Sequence, residues 1–160
     1  MFMQCRSLTT IPLLDTSNLT DATQMFWNCP VLTEVPLLNL SKVTTITAMF
    51  YNCVRLKAVP PFDLSSVTHI YSMFSGCTEL ETVPEFNCPK VISASNMFQG
   101  CSSLTEQSLN NILGTCITMT KISASDKTLK YIGLTSAQAT TCEGLSNYQA
   151  FLDAGWKKGY

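Results

Sequence analysis

The stretch Met49-Phe50-Tyr51-Asn52-Cys53-Val54-Arg55-Leu56-Lys57-Ala58-Val59-Pro60 returns 24 residues later as Met73-Phe74, Cys77, Leu80 and Val83-Pro84. The same phrase runs 24 residues earlier as Met25-Phe26, Cys29, Leu32 and Val35-Pro36. Cys5, Cys29, Cys53, Cys77 and Cys101 therefore stand in strict register. A fixed period of this size is one supersecondary unit copied end to end, which predicts a solenoid.

Within a unit, the apolar positions follow neither a helical period nor a long alternating strand. Leu8 to Ile11, Leu32 to Val35, Leu56 to Val59 and Leu80 to Val83 read as short parallel strands, each closed by a proline that donates no backbone hydrogen bond. Asp15, Asn39, Asp63 and Asn87 follow at a turn position. A second extended piece runs through Leu19–Ala22, Val43–Ile46, Val67–Ile70 and Val91–Ala94. The Met-Phe pair is expected in a short helical turn leading to the next strand. Stacking at about 4.7–4.9 Å would align like side chains into ladders, with the five register cysteines as a core column.

The period breaks after Cys101, since Gln107-Ser108 stand where Val-Pro is due. Leu109, Ile112, Leu113 and Cys116 then share one helical face, with Gln107, Asn110 and Asn111 opposite. Thr135 to Gln138 and Ser146 to Gln149 both have capping-box spacing, the second opening a helix through Phe151 and Leu152 that ends at Gly155. Leu129 to Leu134 reads as a strand between them. The expected class is α/β, with a repeat array of about four and a half units over 1–104 and a degenerate, helix-bearing cap over 105–160.

Lys and Arg number 10 against 11 Asp and Glu, so no basic stripe exists to neutralise phosphates, and no nucleic-acid partner is expected. No apolar run approaches the roughly 18 residues of a spanning helix, so no membrane insertion is expected, and no signal-peptide pattern opens the chain. Met1-Phe2 falls on repeat positions. The array thus opens without an N-terminal cap, which predicts either a fragment of a longer protein or a first repeat that self-associates or packs on a partner.

The Met-Phe-x-x-Cys-x-x-Leu-x-x-Val-Pro phrase, followed by Leu64-Ser-Ser-Val67-Thr68 in the third unit, resembles the BspA-like leucine-rich repeats of bacterial surface proteins. That resemblance covers residues 1–104. It implies a leucine-rich-repeat solenoid without catalytic machinery, placed at the cell surface or secreted as part of a longer protein, with adhesion or host-protein binding as its work. Similar arrays occur in phage proteins, which gives the alternatives of a structural or receptor-binding assembly component and a virion location. The family carries no fixed binding motif.

Register cysteines point parallel and inward, an arrangement unsuited to bridging, and free cysteine serves as a small hydrophobe. Cys88 falls where Leu40 and Leu64 sit and is expected in the core. Cys116 and Cys142 form the one pair worth checking for a bridge. His69 lacks partners at catalytic spacing, and zinc would want closer Cys or His pairs. No phosphate loop, carboxylate pair or nucleophile motif appears. Neither enzyme activity, metal nor cofactor is expected.

Binding candidates come from the variable positions. The third position reads Met3, Trp27, Tyr51, Ser75 and Gln99. Stacking would set Trp27 beside Tyr51 in an aromatic stripe, either a binding surface for protein or glycan or packing against the neighbouring turn. Glu34, Lys57 and Glu81 are expected to face solvent on the strands.

Overall fold

Each unit turns on two residues in the left-handed region, which short polar side chains and glycine tolerate best. Gln4, Asn28, Asn52, Gly76 and Gly100 hold one such column, and Gln24, Ala48, Ser72 and Asn96 hold the other. Between them the chain turns tightly enough to bury Met25, Phe26, Met49, Phe50, Met73 and Phe74. A computed structural model describes residues 2–128 and 131–159; Met1, Leu129 and Lys130 of the readings above lie outside the described residues.

Successive units stack in register through their backbones. The Phe26 N–H donates to the Met49 carbonyl at 2.9 Å, Phe50 to Met73 at 2.9 Å and Phe74 to Met97 at 2.9 Å. On the other flank the direction reverses: Thr44 N–H donates to Thr20 O, and Thr68 N–H to Thr44 O. The pairing is parallel wherever it forms, along Asp21, Thr45, His69 and Ser93, and again at Ala58 with Thr82.

These contacts are single bridges, and among the described residues no continuous strand forms. The segments expected as strands are extended pieces with too few inter-unit bonds. At Lys57, Val59 and Arg55 the donor distances stretch to 3.3–3.4 Å, and Pro36, Pro60 and Pro84 then remove the next donor.

Side chains supply the order the ladder lacks. Phe2, Phe26, Phe50, Phe74 and Phe98 form one column with neighbouring ring centroids 5.5–5.7 Å apart and planes within 16°. Leu32, Leu56 and Leu80 form another and Val43, Val67 and Val91 a third, all fully buried. Each such side chain contributes roughly 1.5–3 kcal/mol of transfer free energy before entropy.

Helix α1 (Glu106–Thr118) opens on Thr105, whose hydroxyl accepts from Ser108 N–H. Leu109, Ile112, Leu113 and Cys116 are buried on it, on the face the spacing predicted. The opposite side departs from expectation. Asn111 is half-buried and donates to the Val83 carbonyl, while Asn110 accepts from Asn147 N–H.

A polar stripe on α1 does what a further unit would do. Ser108 Oγ accepts from Val83 N–H and donates to Glu81 O; Thr115 Oγ1 accepts from Phe86 N–H; Thr118 Oγ1 accepts from Cys88 N–H. The last unit's backbone is thereby satisfied by side chains.

Residues 131–138 complete the closure. Asn96 N–H donates to Tyr131 O and Phe98 N–H to Ile132 O, so Ile132 takes the place of the next methionine. Residues 131–133 are a turn where a strand was expected. Helix α2 (Ser136–Cys142) carries the predicted capping box of Thr135 and Gln138. Helix α3 (Tyr148–Asp153) starts one residue later than predicted. Its N-cap is Asn147 with no side-chain cap bond, because Ser146 Oγ is drawn to Asn110 and Gln149 to Asp153.

Candidate functional site

Trp27 and Tyr51 leave their turns from equivalent positions, just past the buried Met-Phe pair, so the stacking of units brings their rings together. The centroids lie 6.1 Å apart with planes 14° from parallel. Both rings are half-exposed. The row ends on each side as its side chains change: Met3 is exposed before it and Ser75 is buried after it.

Beside this pair runs a depression of about 330 Å³. Its rim is made by Trp27, Tyr51 and Tyr71, with Gln24 and Thr47 alongside. Ala48 and Ser72, both buried and both left-handed, lie at its floor. Small residues in the left-handed column thus open a groove between two columns of larger ones. Tyr71, Gln24, Thr47 and Ser72 were not singled out from the sequence. The signal for Thr47 and Tyr71 is the column two positions before each Met-Phe pair, where Thr23, Thr47 and Ser95 frame a single tyrosine; Gln24 and Ser72 stand one position later, in the left-handed column.

Glu34, Lys57 and Glu81 are exposed as expected, but none lines this groove. The structure does not join them to the aromatic pair. Among the described residues the ion pair found is Lys158 with Glu143, far along the chain in the cap.

The cysteine column is a ladder of hydrogen-bonded thiols. Cys29, Cys53, Cys77 and Cys101 donate to the carbonyls of Phe2, Phe26, Phe50 and Phe74 at 3.0–3.2 Å. All eight cysteines are free, including Cys116 and Cys142, and all but Cys5 are buried. Desolvation pushes Cys53, Cys88 and Cys101 up to about 12 and holds Cys77 and Cys116 well above the ordinary thiol value. Nucleophilic or metal-binding chemistry needs the thiolate, so these groups serve packing.

His69 is exposed, with Nδ1 at 2.9 Å from the Thr68 hydroxyl. Among the described residues no cluster of three His, Cys, Asp or Glu side chains could hold a metal, and no helix is long and apolar enough to cross a membrane.

Residues 1–112, the whole array and the start of α1, match the family described as Mycoplasma protein of unknown function, DUF285. The chain belongs to that family. Neither a curated protein nor a solved structure matches it.

Proposed function

We propose that the array is a leucine-rich-repeat solenoid of the BspA-like kind, acting as a non-enzymatic binding module for protein or glycan at a cell surface or in secreted form. The observation that carries this reading is the half-exposed Trp27–Tyr51 stack beside an open groove. Aromatic side chains give large contact areas at low entropic cost and dominate binding hot spots. A core built of repeated positions also leaves the exposed positions free to serve recognition. The test is capture of the purified chain on immobilised extracellular proteins and glycans. A Trp27→Ala/Tyr51→Ala variant should lose at least tenfold in affinity while keeping its unfolding midpoint; unchanged capture would overturn the reading.

A second reading, a structural component of a virion or other assembly, is favoured by a different surface. Leu13 and Leu37 are 76% and 56% exposed at equivalent positions of successive units, and exposed Pro61 continues the row. Apolar rows of this kind fit subunit contacts. Sedimentation of the wild type against Leu37→Lys distinguishes it: a concentration-dependent oligomer dispersed by the charge supports assembly, and a monomer in both opposes it.

A further inference from the structure

The groove beside Trp27 and Tyr51 is built of side chains whose polar atoms have no task in the fold. Gln24, Thr47 and Tyr71 contribute an amide and two hydroxyls, and Trp27 and Tyr51 an indole N–H and a phenol. None of these groups makes a side-chain hydrogen bond with the other described residues. Ser72 also lines the groove, and its hydroxyl likewise has no partner among the described residues. That hydroxyl is open to the groove, where a ligand or solvent group can pair with it.

Three features define what that ligand must be. No lining residue is charged, which leaves nothing to compensate the desolvation of a charged ligand. The open groups include several that both donate and accept: the Gln24 amide and the hydroxyls of Thr47, Tyr51, Tyr71 and Ser72. The backbone beneath them is already committed, since Gln24, Ala48 and Ser72 N–H groups donate to Thr47, Tyr71 and Ser95. An added peptide strand therefore finds no edge here.

The aromatic rings divide the work. Trp27 and Tyr51 stack on one another, each covering one face of its neighbour, and both bring a donor to the groove. Tyr71 is 44% exposed, the most accessible of the three rings, and stacks on none of the described aromatic rings. The negative face of an aromatic ring attracts polarised C–H groups, and a sugar ring offers such a C–H face together with a rim of hydroxyls that donate and accept.

We propose that this groove binds an uncharged glycan, with one sugar ring on the face of Tyr71 and its hydroxyls shared among Ser72, Gln24 and the Trp27–Tyr51 edge. A volume of about 330 Å³ suits a ligand of disaccharide size. The inference rests on the binding-module reading and narrows it to one ligand class at one site.

Calorimetric titration of the full chain tests it, with cellotriose, maltotriose, mannotriose and triacetylchitotriose as neutral probes, sialyllactose as a charged one and a decaproline peptide as a non-sugar one. At least one neutral trisaccharide should bind. Tyr71→Ala and Ser72→Ala should each weaken it at least tenfold with no change in unfolding midpoint, Tyr71→Phe should weaken it less than Tyr71→Ala, and Lys90→Ala should leave it unchanged. Binding of decaproline alone, a preference for sialyllactose, no neutral saccharide bound at millimolar concentration, or saccharide binding indifferent to Tyr71→Ala would each overturn the proposal. Trp27-dependent capture of an extracellular protein with no saccharide binding would remove the glycan inference and leave the broader reading standing.

Discussion

The thiol of Cys53 donates a hydrogen bond to the Phe26 carbonyl oxygen 3.2 Å away, one unit back along the array. Leaving a buried acceptor without its donor costs about 1–3 kcal/mol, and loss of the sulfur adds a small cavity. Cys53→Ala should therefore lower the unfolding free energy by about 2–3 kcal/mol. Cys5 has only a 4.0 Å contact with Met3 O and is half-buried, so Cys5→Ala should cost under about 0.5 kcal/mol. Urea denaturation of both variants checks the contrast. Equal effects would contradict the ladder.

The stripe on α1 gives a second expectation. Ser108 and Thr115 accept from buried Val83 and Phe86 N–H groups. Ser108→Ala and Thr115→Ala should each destabilise by about 1–3 kcal/mol, and hydrogen exchange at Val83 and Phe86 should accelerate accordingly. An exposed hydroxyl of the same helix region, Thr120, should be replaceable by alanine within about 0.5 kcal/mol.

Two glycines of the cap should respond oppositely. A methyl group at Gly133 would lie 2.6 Å from Gln99 N, and the residue's φ is +91°. Gly133→Ala should therefore cost about 2 kcal/mol or more. At Gly114 the atoms nearest the added carbon all belong to the Glu85 carboxylate, the free end of an exposed side chain. That side chain can swing away, so Gly114→Ala should be neutral or raise stability by up to about 1 kcal/mol through helix propensity. Thermal melts of the two variants decide this.

The pH dependence follows from the buried thiols. Cys53, Cys88 and Cys101 are held at about 12 in the folded chain, against an ordinary value of 9.0. Above that ordinary value the unfolded chain releases protons that the folded chain retains. The thiols' contribution is therefore complete below about pH 9 and falls as pH rises toward about 12, by about 1.4 kcal/mol per thiol per pH unit. Urea midpoints should be level between about pH 6 and 8 and drop between about pH 9 and 10.5, less steeply in Cys53→Ala.

How much of this was legible in the sequence depends on what each position buries. The register was open to reading because every unit places Met, Phe, Cys, Leu and Val in one shared core, so the same pressure recurs 24 residues apart. Continuous strands were over-read: Leu56 to Val59 has strand composition, but its neighbours offer single bridges before Pro60 ends the pairing. The stripe of Ser108, Asn111, Thr115 and Thr118 was missed because the helix was parsed by its apolar residues, and nothing local shows that small polar groups would meet an open backbone edge. Ser146 has the spacing of a cap, yet its hydroxyl is claimed by Asn110, a partner 36 residues distant. At the candidate site, Trp27 and Tyr51 were visible as one column. Tyr71 belongs to the next, and only the left-handed turn at Ala48 and Ser72 shows that a groove separates them.

The in-register stack is the foundation of both the core and the groove, and native thiol labelling tests it most directly. The chain has eight cysteines, of which only Cys5 is not buried. Mass-resolved labelling without denaturant should modify one thiol per chain quickly, at Cys5, with the remaining seven reacting only on unfolding. Labelling of Cys53 or Cys77 at the rate of Cys5 would contradict the stacked array.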